Sequence, residues 1–406
     1  MAIEMILVFN SGSSTLKFGC FEAGTMLTLA AGLIDWGGKE RTAIVRDEKG
    51  AELARRTSSV QDHRSAALEA IHLLGESGVM SKSRSGSRTS AVGHRVVHGG
   101  TRFQASVVLD PDVKEAILEL SDVAPLHNPA ALEVIAAAEE SLPAVPQIAV
   151  FDTAFFSDLP ARSYVYPLPY EWYSEWGVRR FGFHGISHDY CSRRAAELNQ
   201  DREMQNLIVC HLGNGCSATA VRHGKPVATT MGFTPLEGLM MGSRSGSIDP
   251  GILVYLQRKR GLTAESVDDA LNNRSGLLGV SGISWSFREV EQAAMEGNER
   301  ARLALDIYAD RVRSGIGALA VTLGAVDALI FTGGVGENSA GLRAAACEGL
   351  QCLGLHIDPD RNRLAYGDTN IAAANSRTTI WIIHTREEHM VAREAHRVAV
   401  ECRSVL

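Results

Sequence analysis

Two stretches of this chain, about 200 residues apart, repeat one plan: a short apolar run, a small-residue polar turn, then a run of alternating apolar side chains. The first is MILVF (5–9), followed by NSGSST and by LKFGCFEAG, in which Leu16, Phe18 and Cys20 alternate. The second is NLIVC, followed by HLGNGCS and by SATAVRHGKP, which closes on a His–Gly turn. A continuous apolar run reads as a buried strand, and the tight turn after it returns the chain as an antiparallel neighbour. A unit repeated at this distance predicts two related domains facing each other. The 406 residues leave room for two or three folding units, at roughly 150 residues each.

Between and after the two copies the pattern turns helical. DHRSAALEAIHLLGESG places Ala67, Leu68, Ile71 and Leu74 on one expected face, and ERARLALDIYADRVRSGIGALAVTLG does the same with Leu303, Ile307, Ile316, Leu319 and Leu323. SKSRSGSRTS (81–90) holds five Ser and three basic residues and reads as a surface loop. The long helix runs into the apolar strand DALIF and the turn TGGVGENS. Strands alternating with helices predict an α/β layout with glycine turns at strand ends, where ligands bind in such sheets.

Charge and cysteine usage narrow the function classes. Lys and Arg total 40 against 47 Asp and Glu, a net charge of -7, which speaks against nucleic acid and membrane surfaces as partners. Seven scattered cysteines with no C-x-x-C pair argue against a disulfide framework and a thiolate zinc site. The apolar start carries Glu4 and no basic leader, so it reads as a first strand, and the expected setting is cytoplasmic.

Three turns share a phosphate-binding look: NSGSSTLK (10–17), HLGNG (211–215) and TGGVGENS (332–339). Each follows an apolar strand and exposes backbone N–H groups among small residues. None is a Walker A loop or a G-x-G-x-x-G turn.

With ILVFNSGSSTLKF, GHRVVHGG, APLHNP, FDTAFF, RFGFHGISH, HLGNG, PLEGLMMGSRSG, FTGGVGEN and TREEHMVAR in this order, the chain resembles the acetate kinase (acetokinase) family. That family belongs to the superfamily of sugar kinases, heat-shock ATPase chaperones and actin. The resemblance implies an α/β fold of two similar actin-like (ribonuclease H-like) ATPase domains facing a central cleft. It divides the chain into residues 1–150 with 386–406, and 151–385. It also implies reversible, Mg²⁺- or Mn²⁺-dependent transfer of the ATP γ-phosphoryl group to acetate, in a homodimer.

Phosphoryl transfer to a carboxylate joins two anions, so fixed cations, backbone donors and a metal matter more than a covalent nucleophile. Arg95 and Arg244 sit among small residues, where a guanidinium can grip a carboxylate or phosphoryl group. By resemblance both are catalytic, with His184 donating to the transferring phosphoryl group and Asp152 completing the set. Arg95, Val97, Leu126, Phe183, Pro235 and His127 are the implied acetate site. Ser13, Lys17, His211, Gly213, Asn214, Gly215, Ser286, Phe287, Arg288, Gly334, Val335, Gly336 and Asn338 are the implied ATP/ADP site. Asn10 and Glu387 are the implied metal site.

Four positions depart from the family pattern. Thr15 stands for Ser, Ser247 for an Asp after Arg244, Ser286 for an Asp before Phe287 and Arg288, and Arg386 for an Asn. The Ser286 change bears on ribose contacts and nucleotide preference. The rival readings are a propionate or butyrate kinase of the same fold and, in another class, an ATP-gated switch with no acceptor.

Overall fold

The computed structural model describes residues 4–37, 41–80, 88–125, 127–199 and 204–405; the 81–87 part of the basic loop and Leu126 lie outside them. The chain forms two units, Met1–Ser157 with Arg386–Leu406, and Asp158–Thr385.

The first unit opens with β1 (Glu4–Ser11) and β2 (Thr15–Glu22), the expected antiparallel pair, joined by a turn in which Gly12 N–H donates to the Thr15 carbonyl at 2.8 Å. β3 (Thr28–Asp35), β4 (Thr42–Arg46) and β5 (Glu52–Thr57) continue the meander. β6 (Arg88–Val96), β7 (Val107–Val108) and β8 (Gln147–Phe151) follow. Among the described residues the sheet order is β5-β4-β3-β2-β1-β6-β8-β7, with β1, β6 and β8 mutually parallel. Parallel neighbours need crossovers, supplied here by the helices His63–Glu76 and Asn128–Ser141.

One face of β1, carrying Met5, Leu7 and Phe9, joins a core with Ala66, Ala70 and Leu73 of the first helix and Val134 and Ala137 of the second. Each fully buried Leu or Phe there contributes about 1.5–3 kcal/mol. The C-terminal helix Glu387–Val405 packs on β1, β6 and β8.

The second unit repeats this plan. β9 (Asn206–Leu212), β10 (Cys216–Arg222) and β11 (Lys225–Thr229) form an antiparallel run. β12 (Ala328–Thr332), β13 (Thr369–Asn370) and β14 (Thr379–Ile382) complete the order β11-β10-β9-β12-β14-β13. β9, β12 and β14 are parallel, as β1, β6 and β8 are. The string β3-β2-β1-β6-β8 thus matches β11-β10-β9-β12-β14 in order and direction, the repeat expected of two related ATPase domains.

Most of the two expected helix faces is buried: Ala67 and Leu74 in the first helix, and Ile316, Leu319 and Leu323 in Glu299–Leu323. Leu68 and Leu303 depart from them, at 41% and 52% exposed, while Ala66, Ala70 and Leu73 in the first helix and Ala304, Tyr308 and Val312 in the long one extend the buried stripe. The turn TGGVGENS is itself a short helix, Gly333–Asn338, entered directly from β12.

Candidate active site

Each unit carries a polar cluster of its own at the strand ends. In the first unit Asn10 is the next-to-last residue of β1, Arg95 lies near the end of β6, and Asp152 follows β8 directly. Three parallel strands therefore deliver three polar groups side by side. Arg95 Nε and Nη2 both donate to Asp152 Oδ2, the first at 3.1 Å, and Arg95 Nη1 donates to Asn10 Oδ1 at 2.9 Å. The other end of the Asn10 amide donates to Glu387 Oε2 at 3.0 Å and Glu388 Oε1 at 2.9 Å, both on the C-terminal helix. Asp152 is fully buried, Asn10 5% exposed and Glu387 9% exposed. Burial works against the Arg95 charge, but Asp152, Glu387 and Glu388 outweigh it and hold the guanidinium more firmly protonated than a free arginine.

The network fixes which way the Asn10 amide faces, since its oxygen meets a cation and its nitrogen meets two carboxylates. Among the described residues no three His, Cys, Asp or Glu side chains gather as a metal cluster. The carboxylate oxygens of Glu387 and Glu388 are nonetheless the hard donors that Mg²⁺ takes one or two of, with water filling the rest.

The second unit gathers His184, His211, Ser217, Arg244 and the HLGNG turn. His184 precedes the helix Gly185–Leu198 with φ at 57°, a left-handed conformation that costs a non-glycine residue about 1–2 kcal/mol. Its ring stacks on His211 at 4.3 Å between centroids, and its Nδ1 lies 2.9 Å from Ser217 Oγ. Arg244 Nη1 donates to the Pro235 carbonyl at 2.6 Å. Burial pulls the Arg244 pKa down, with the Cys216 thiol acting in the opposite sense. Among the described residues Arg244 has no carboxylate partner. A part-buried guanidinium held by a neutral carbonyl keeps donors that can pair with an anion.

The backbone of Gly215 lies close against both Arg244 and His184. A Cβ built there would lie 3.1 Å from Arg244 Nη2 and 3.2 Å from His184 Nε2. The guanidinium, the imidazole and the glycine backbone thus converge on one spot that a side chain would fill.

Beside it is a cavity of about 660 Å³. Gly213, Asn214, Ser286, Phe287, Arg288, Gly334, Val335 and Asn338 line it, and so do Trp285, Glu291 and Ser339. Gly333 is in the left-handed region at φ 78°, and a Cβ there would meet the Leu212 carbonyl oxygen at 2.7 Å, so only glycine lets the 333–338 helix start against β9. Glu337 holds the same corner: its Oε1 accepts from Gly333 N at 2.9 Å and Thr385 N at 3.1 Å.

Some expected residues lie apart from these groups. Ser13 and Lys17 are exposed in the first unit, Lys17 opposite Asn10 in the β1–β2 ladder. Val97 and His127 are in the first unit, Phe183 and Pro235 in the second. His211, Gly215 and Gly336 are not among the residues that line the cavity, and Gly336 is buried. Glu388, Trp285, Glu291 and Glu337 carry no sequence signal of their own, except that Glu388 adjoins Glu387. Ser247 fills its place with backbone bonds, its Oγ accepting from Gly238 N at 3.0 Å.

Residues 5–393 match the model of the Acetokinase family. An acetate kinase of Gloeobacter violaceus is 51% identical over 405 residues, covering 96% of this chain and 98% of that protein. The crystal structure of Porphyromonas gingivalis acetate kinase superposes with a TM-score of 0.86 at 39% identity, covering 97% and 99% of the two chains. A propionate kinase from Francisella tularensis gives 0.87 at 38% identity, with 98% and 100% coverage.

Proposed function

This chain belongs to the acetokinase family, and from that premise we propose that it is an acetate kinase. A carboxylate oxygen of acetate attacks the γ-phosphorus of ATP while the bond to the β–γ bridging oxygen breaks. The products are acetyl phosphate and ADP, no proton moves, and the step runs in either direction. The observation that carries the reading is Arg244, a part-buried cation with no carboxylate partner among the described residues, converging with His184 on the backbone of Gly215.

Arg244 and His184 act on the phosphoryl oxygens, where charge develops during transfer, and Arg95 receives the acetate carboxylate. Asp152 fixes the Arg95 fork and keeps it charged. The 660 Å³ cavity takes the nucleoside, with Phe287 and Val335 as apolar walls and Arg288 and Asn338 as polar ones. Ser286 offers a hydroxyl there. Ser13, Lys17, His211 and the Gly213–Gly215 turn attend the phosphates.

Glu387 and Glu388 would hold Mg²⁺ or Mn²⁺ through oxygen, and when bound the ion neutralises nucleotide phosphate charge. Asn10 orients both carboxylates, since its own oxygen is engaged by Arg95. The proposed setting is the cytoplasm, as a homodimer, on family likeness alone.

Val97, His127, Phe183 and Pro235 are assigned to acid binding on family likeness alone. One methylene is worth only about 1–3 kcal/mol of discrimination, so propionate is a weaker substrate. The near-equal fit to a propionate kinase keeps that acid as the second reading. The test is incubation with Mg²⁺-ATP and acetate, propionate or butyrate, trapping acyl phosphate with hydroxylamine. Acetate should give the strongest hydroxamate signal. A stronger signal with a longer acid moves the assignment to that acid, and no hydroxamate with any acid refutes the kinase.

A further inference from the structure

Ser217 stands on β10 with no solvent exposure, and its hydroxyl faces two imidazoles. His184 Nδ1 is 2.9 Å from Ser217 Oγ, and the fully buried His188 Nε2 is 2.7 Å from the same atom. His188 follows His184 by one helical turn, its N–H donating to the His184 carbonyl at 2.9 Å, so both rings meet the strand from one helix start. We infer that Ser217 is a positioning residue that fixes the tautomer of His184, accepting from His188 and donating to His184 Nδ1.

The proton count leaves two arrangements, and the donor role proposed for His184 selects between them. A hydroxyl has one proton to give, so it cannot donate to both rings. If it donates to His188, His184 Nδ1 must carry a proton, and a neutral His184 then aims a lone pair at the spot beside Gly215. If it donates to His184, the His184 proton sits on Nε2, which faces that spot. Only this second arrangement greets an anion with a donor.

The His184 ring is stacked on His211, and its Cε1–Nε2 edge and Arg244 Nη2 both lie against the Gly215 backbone. The neighbouring ring repeats the device: His211 Nδ1 lies 2.8 Å from Ser187 Oγ, which lies 2.8 Å from Thr385 Oγ1. Both stacked rings therefore have Nδ1 engaged by a serine hydroxyl.

This inference rests on the proposed role of His184 as donor to the transferring phosphoryl group. Its test uses the full-length protein with ¹⁵N-labelled histidine, the His184 signals being assigned by their loss in His184→Asn. In the wild type His184 should be the neutral Nε2–H tautomer. A proton on Nδ1, or on both nitrogens, overturns the inference whatever the variants do. Ser217→Ala should mix the tautomers and lower kcat about tenfold, short of the ~10²–10³ loss from deleting a donor outright. The KM for ATP should stay within about twofold, and Ser217→Thr should restore both spectrum and rate. An unchanged tautomer in Ser217→Ala, or a Thr variant as impaired as Ala, overturns it. If His184→Asn keeps full kcat, the role given to His184 in transfer fails, and the wild-type spectrum still judges the Ser217 relay separately.

Discussion

Arg244 Nη1 donates to the carbonyl oxygen of Pro235 at 2.6 Å, a neutral acceptor where a part-buried guanidinium would ordinarily meet a carboxylate. The protein thus keeps a desolvated cation unneutralised, at a cost to its own stability. Arg244→Met removes the charge and keeps much of the volume. Replacing buried charge by apolar volume is often neutral or stabilising by about 1–4 kcal/mol, so the melting temperature of Arg244→Met should hold or rise. Its kcat should fall by about 10² or more, the scale of losing one donor to developing charge. Calorimetry beside initial rates checks this, and a drop of several degrees would make Arg244 a structural residue.

Arg95 behaves in the opposite way, because Asp152 is fully buried against it. Arg95→Ala leaves that carboxylate without its cation, a loss of about 3–5 kcal/mol for a broken buried pair. The single variant should therefore lose stability as well as acyl phosphate formation. Adding Asp152→Asn removes the stranded charge and should recover most of the stability while activity stays lost. Urea midpoints of the two variants decide it. Equal midpoints would mean that the pair contributes nothing beyond Arg95 itself.

These two arginines show what the sequence could and could not convey. Buried strands and glycine turns are local signals, so the doubled topology was legible in two short stretches. Asn10, Arg95, Asp152 and Glu387 were each singled out, yet their order of contact was not, because Asn10 and Glu387 meet across 377 residues of sequence. Leu68 and Leu303 are exposed although Leu74, Ile316, Leu319 and Leu323 on the same expected faces are buried, since alanines such as Ala66, Ala70 and Ala304 carry part of the buried stripe. Ser217 and His188 lie inside the HLGNGCS and RFGFHGISH blocks, but nothing in the sequence pairs them. A serine on a buried strand matters only through the ring nitrogens that the fold brings to it.

Acid should reveal a histidine outside the site. His94 lies on β6, 2% exposed, and burial lowers its pKa to about 4, against the opposing hydrogen bond with Gln147 at 2.8 Å. The unfolded chain, with an ordinary histidine pKa near 6.5, therefore binds the proton more readily than the folded one. Stability is fully present above about 6.5 and is lost as pH falls toward about 4, at up to ~1.4 kcal/mol per pH unit. His94→Gln should flatten that slope between pH 6.5 and 4.5. Denaturant titrations at several pH values check it, and an unchanged slope would assign the acid sensitivity to other groups.

Gly215 offers the sharpest test of convergence at the proposed phosphoryl site. Its backbone is not among those in the left-handed region, so alanine is conformationally acceptable and the fold should survive. The added methyl, however, would lie 3.1 Å from Arg244 Nη2 and 3.2 Å from both Cε1 and Nε2 of His184, closer than ordinary carbon contacts. One or both groups must give way by a few tenths of an ångström, and His184 is already braced by Ser217 and by the His211 ring. Arg244 is the freer to move, with one carbonyl holding it. Since a misplacement of about 1 Å costs roughly 10²-fold, this smaller shift should lower kcat about tenfold. Thermal stability should stay near that of the wild type. A Gly215→Ala protein with full kcat would show that Arg244 and His184 do not converge on the reacting phosphoryl group at this turn.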